Sequence, residues 1–133
     1  MFIYDPDTAP PPAVWLALDD DARFESVLAV HTRRVDALHP EGLDAAMHSR
    51  LHIVIETQLA TGTPAATAST LARLQSDGLR RHAGIHLLSA ALAQAMAETM
   101  RLGGWDDDRW AARLDAIDAG AWVGDQVSRR FDD

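Results

Sequence analysis

The sequence predicts an all-α fold, a single-domain bundle of about five helices. Three observations carry that expectation. Alanine and leucine dominate a chain with one tyrosine, a mix that favours helix over strand. Apolar residues recur at i, i+3, i+4 and i+7, and no stretch alternates with period two. At 133 residues, 47% of them apolar, the chain can bury one core of its own. The expected organisation is an extended segment over 1–14, a bundle over 15–119 and a tail over 120–133.

The first segment pairs an apolar start, Phe2-Ile3-Tyr4, with Pro10-Pro11-Pro12, whose fixed φ favours an extended lead into the bundle. A first helix is predicted over 20–38. Asp19, Asp20 and Asp21 place negative charge at its positive end. Phe24, Val27, Leu28, His31 and Val35 follow the helical template. His39-Pro40-Glu41-Gly42 breaks it. A second helix, over 43–60, presents Met47, Leu51, Val54, Ile55 and Leu59. Gly62-Thr63-Pro64 then marks a boundary, with Thr63 as cap and Pro64 at the first helical position of a short third helix ending near Gly78. The fourth and longest helix covers 79–102 and stops at Gly103-Gly104. A fifth, over 106–117, opens on an aspartate triplet and aligns Trp110, Leu114 and Ile117. Four tryptophans, Trp15, Trp105, Trp110 and Trp122, read as packing anchors, and Trp122 with Val123 and Phe131 gives the tail something to dock with.

Charge and composition narrow the function. Net charge is −8, and the arginine doublets Arg33-Arg34 and Arg80-Arg81 are isolated, so phosphate backbones are repelled and nucleic-acid binding is not expected. With no cysteine there is no disulfide, thiolate metal site or cysteine nucleophile. Neither a basic-then-apolar leader nor a run of 18 apolar residues occurs, so the expectation is a cytoplasmic protein off the membrane, with a homo-oligomer or a protein partner left open. Gly-x-Ser-x-Gly elbows and phosphate-binding glycine loops are absent from the sequence.

What stands out is one word written twice, His48-x-x-x-His52 and His82-x-x-x-His86. Six histidines among 133 residues give about 0.26 such pairs by chance. Residues four apart on a helix lie roughly 6 Å apart on one face, so each pair can pinch a cation. Glu56 stands one helical step beyond His52. With His48 at zero and about 100° per residue, Ile55 falls at about −20°, Leu59 at about +20°, His52 at about +40° and Glu56 at about +80°. The histidines thus share the inward arc, with Glu56 at its margin. On the fourth helix, with His82 at zero, His86 lies at about +40°, Ser89 at about −20°, Met96 at about −40° and Ile85 at about −60°, again beside the apolar stripe. His31 occupies the middle of the first helix's apolar face. Gly84, on the flank away from the histidines, suits a close helix approach.

Buried imidazoles need partners for both ring nitrogens, and metal coordination plus a supporting carboxylate or amide supplies them. The predicted ligands are His48, His52, His82 and His86, with His31 and Glu56 as secondary candidates and Gln58 in support. A nitrogen-rich set of this kind suits zinc or iron first, and nickel or copper, and does not suit calcium or magnesium. With one coordination position open, a bound water would become acidic. Enzyme, sensor and store fit the pattern equally. The competing expectation is a non-catalytic interaction domain whose histidine, glutamine and glutamate residues form a metal-free polar core. For His31 the corresponding bland reading is a hydrogen-bonded core histidine.

Paired-iron bundles often use Glu-x-x-His spacing. Here the word is His52-x-x-x-Glu56, which with an upstream His31 and the downstream His82-x-x-x-His86 is similar to part of the hemerythrin-type ligand pattern; the later His-x-x-x-x-Asp element of that pattern is missing. The stretches His48-Ser49-Arg50-Leu51-His52-Ile53-Val54-Ile55-Glu56-Thr57-Gln58 and Gly78-Leu79-Arg80-Arg81-His82-Ala83-Gly84-Ile85-His86 together resemble an uncharacterised bacterial family of small helical proteins. That family is a domain of unknown function with an H-x-x-x-H…Q…H-x-x-x-H signature. The resemblance implies a helical domain with His48, His52, Gln58, His82 and His86 at the motif positions, and it implies no reaction. One branch carries arginine where Glu56 stands.

Overall fold

The computed structural model describes residues 2–33 and 45–120, with the side chains of 31–33 outside the description. Six helices and no strand occur among the described residues: α1 (Pro12–Ala17), α2 (Asp20–Arg33), α3 (Ala45–Thr61), α4 (Ala65–Ser76), α5 (Arg81–Leu102) and α6 (Asp107–Asp115). The all-α expectation therefore holds. The break at His39-Pro40, the side chain of His31, and Trp122, Val123 and Phe131 lie outside the described residues.

Helix α1 begins inside the 1–14 segment that the sequence predicts to be extended and runs into the predicted bundle. Pro11 is extended (φ −56°, ψ 127°), but Pro12 begins a helix, a position where its missing N–H is not needed. Trp15 then sinks fully into the interior and donates its indole N–H to Thr57 of α3 at 3.1 Å. Asp19 caps α2 as predicted, accepting from the backbone N–H of Ala22 at 2.8 Å. Thr63 does not cap α4. Pro64 itself takes the cap position, with ψ 151°, and the helix starts at Ala65. Because Pro64 is itself extended rather than helical, the helix begins one residue later and Thr63 falls one position before the cap. The hydroxyl of Thr61 serves the end of α3, donating to the carbonyl of Thr57 at 3.0 Å and accepting from the N–H of Thr63 at 3.3 Å. Gly103 ends α5 in the left-handed region (φ 86°), and Asp106 caps α6 by accepting from the N–H groups of Asp108 and Arg109.

Helix α3 is the axis of the molecule, packing against α1, α2, α4 and α5. On one side Trp15, Val27, Val30 and Tyr4 close an apolar cluster with half-buried Phe2 and Ile53. On the other side Ile55, Leu71, Ile85, Leu88, Leu92, Trp110 and Leu114 form the larger core among α3, α4, α5 and α6. Gly84 sets the α4–α5 approach: a Cβ there would lie 2.6 Å from Leu71 Cδ1. Arg73 of α4 reaches the end of α6 and donates to the carbonyls of Leu114 and Ile117, each at 3.0 Å. Met96, expected on the buried side of α5, is exposed, because Ala91, Leu92 and Ala95 supply the covered face there. No helix among the described residues is long and apolar enough to cross a membrane.

Candidate metal centre

Helix α3 contributes His48, His52 and Glu56 one turn apart, and the first two turns of α5 contribute His82 and His86. The two clips converge. Ring centroids lie 4.8 Å apart for His48 and His52, 4.5 Å for His48 and His86, and 4.9 Å for His52 and His86. The Nε2 atoms of His48 and His86 face each other at 3.1 Å. One ligand atom from each of His48, His52 and His86 lies within 4.8 Å of the others, so these three are close enough to bind one metal ion. A tetrahedral zinc at about 2.0–2.1 Å from each nitrogen holds its ligand atoms roughly 3.4 Å apart, so a pair at the 4.8 Å limit must close by about 1.4 Å, shared between its two rings. His52 and His86 are buried and His48 is half-buried, which leaves one edge of the group toward solvent.

His82 is fully buried and stacks edge-on against His86 at 4.5 Å, with His52 5.8 Å away. It extends the imidazole layer while standing outside the three-residue group. Ser89, less than one turn beyond His86, is also buried, so the polar layer continues along α5.

Glu56 is placed differently from its sequence expectation. It lies deep in the fold at 1% exposure rather than at a margin. Both of its oxygens are held by Arg81, Oε1 by Nη2 at 2.7 Å and Oε2 by Nη1 at 2.8 Å. Oε2 also accepts the phenol proton of Tyr4 at 2.5 Å. Its lone pairs thus meet N–H and O–H donors, and the group of three that gathers at the centre is made of histidines alone. Gln58 accepts from the hydroxyl of Thr67 at 2.7 Å, and Thr67 in turn accepts from the indole N–H of Trp110 at 3.2 Å. That chain ties α3 to α4 and α6.

Three residues at this site have no part in the sequence expectation. Tyr4 reaches the phenol oxygen to within 3.4 Å of His52 Nδ1. Arg81, in addition to its fork on Glu56, donates to the carbonyl of Pro6 at 3.0 Å. Asp7 accepts from the backbone N–H of His82 at 3.1 Å, at the start of α5. Residues 4–7 therefore form a strap from the middle of α3 to the start of α5. A signal for Arg81 does exist in the sequence. With His82 at zero it falls at about −100°, between Ile85 and Leu88 on the apolar stripe, where a cation needs a buried anion.

The electrostatics agree with the contacts. Burial pushes the Tyr4 phenol well above its ordinary value, and the neighbouring Glu56 adds to the shift, so Tyr4 remains a donor. Burial alone would lower Arg81, but the hydrogen bond and charge of Glu56 outweigh it and hold the guanidinium above its usual range. No family model, curated protein or solved structure matches the chain, so the site is read from its own geometry.

Proposed function

We propose that this chain is a transition-metal-binding helical bundle, with His48, His52 and His86 as imidazole ligands to a single ion. The observation that carries this reading is the convergence of three ligand atoms, from two helices, within 4.8 Å of one another. His82, packed on His86, is the next candidate ligand, and His31 of α2 is the further one the sequence offers. Glu56 serves as a supporting carboxylate, not as a ligand, because Arg81 and Tyr4 occupy its oxygens. Neutral nitrogen donors favour zinc or iron, with nickel and copper next, over calcium and magnesium.

The 3.1 Å contact between two Nε2 atoms also supports a second reading, in which His48 and His86 hydrogen-bond directly within a metal-free polar core of an interaction domain. Elemental analysis of untagged protein separates the two. Near-stoichiometric transition metal that disappears in a His52→Ala, His86→Ala double variant supports the metal centre. Metal-free protein whose melting temperature is unmoved by added zinc, ferrous iron, nickel or copper overturns it. Ligand histidines bind as neutral rings, so metal affinity should fall as pH drops through about 6. A binding curve flat between pH 7.5 and 5 would contradict that.

A further inference from the structure

We infer that Tyr4 is a positioning residue for the histidine cluster: together with Glu56 and Arg81, it holds His52 in the Nδ1–H tautomer and so presents the Nε2 lone pair to the metal. This assignment rests on the metal-binding reading above. The placement of one proton decides the tautomer. A phenol has a single proton, and Tyr4 faces two acceptors: Glu56 Oε2 at 2.5 Å and His52 Nδ1 at 3.4 Å. The carboxylate wins on distance and on charge, since hydrogen bonds to an ionised acceptor are shorter and stronger. Arg81 keeps that carboxylate in place with two N–H donors of its own.

What Tyr4 then offers His52 is a lone pair. A ring nitrogen facing it is stable with its own proton and repelled without one, even at a separation long for a hydrogen bond. His52 therefore carries hydrogen on Nδ1, and a neutral imidazole so protonated has its lone pair on Nε2, here buried inside the fold. Partners of this kind, reaching a ligand histidine through its second nitrogen, orient the ring and raise its basicity. Here the partner comes from near the N-terminus, 48 residues from the histidine it serves.

The test uses the full chain without metal at pH 8, above the ordinary histidine value of about 6.5, with the ¹⁵N shifts of the His52 ring as readout. The lock predicts a protonated Nδ1 in the wild type and a shift toward mixed tautomers in Tyr4→Phe. Zinc affinity of that variant should fall about 10- to 100-fold. Phe2→Ala, which loosens the same segment at its contact with Trp15, should keep both the tautomer and the affinity. A wild-type His52 with hydrogen on Nε2 overturns the inference without any variant. So does a Tyr4→Phe protein whose tautomer and zinc affinity are unchanged. A protonated Nδ1 in a wild type that takes up no metal leaves the lock standing and sinks the metal centre instead, so the two failures are distinct.

Discussion

The two ends of α5 are held by different physics. Its first two turns carry Arg81, His82 and His86, all buried, each resting on a specific partner: Glu56 for the guanidinium, neighbouring rings for the imidazoles. Its later turns carry Leu88, Ala91, Leu92 and Ala95 against Trp110 and Leu114, where contacts are many and non-directional. An apolar contact can be repacked by a neighbour of similar volume. A buried charge that loses its partner cannot be repacked, because the desolvated group stays behind. One helix thus combines a tolerant half with an exacting half, and the exacting half faces the candidate centre.

Three substitutions or titrations would break or sharpen that contrast. Trp110→Ala in the apolar half should cost about 3–5 kcal/mol by denaturant unfolding, from lost packing, the cavity left behind and the broken indole hydrogen bond to Thr67. The loss should be the same with and without metal. A metal-dependent loss would mean that the two halves are energetically one. In the exacting half, Glu56→Gln strands the Arg81 guanidinium and should cost about 3 kcal/mol or more. Unlike the tryptophan variant, it should also reduce the melting-temperature rise produced by zinc, since the phenol of Tyr4 loses its anionic acceptor.

The smallest effect is an alkaline one. The Tyr4 phenol is raised by burial and by Glu56, while in the unfolded chain it ionises near its ordinary value of 10.0. The folded state therefore holds a proton that the unfolded state releases. This contribution is fully present below pH 10 and is lost as pH rises further, with a slope of at most about 1.4 kcal/mol per pH unit. Tyr4 is the only tyrosine, so absorbance at 295 nm follows it alone, and Tyr4→Phe should remove its share of the slope. Ionisation near pH 10 in the native protein would show the phenol to be freely solvated.

The apolar half was legible because a single periodicity writes it. Ile85, Trp110 and Leu114 can be placed from spacing within their own helices, although the same spacing puts Met96 inside and it is exposed. Caps of acidic residues, at Asp19 and Asp106, are equally local and were also readable. The histidine clips were legible as an inward face for the same reason, since relative angles within a helix survive errors in its ends. The partners of that face were not. Tyr4, Pro6 and Asp7 meet α3 and α5 across separations of 48 to 75 residues, and no pattern in one helix encodes which distant segment folds over it. Glu56 illustrates the boundary: its angle suggested a margin, yet a guanidinium presented by another helix draws it fully inside. Helix α1 was missed because three prolines read as extended unless one of them sits at the first helical position.

Arg73 gives the far edge of the bundle a property of its own. By donating to the carbonyl of Leu114, which also accepts from the Ile117 N–H at 3.2 Å, and to the carbonyl of Ile117 just beyond α6, it ties that end of the helix to α4. The planar fork serves two carbonyls at once, which a lysine ammonium on its flexible stem would not reproduce. Helix α6 therefore does not fray as an independent end: its terminal amides should exchange with solvent only when α4 lets go, which makes the two helices one cooperative unit of opening.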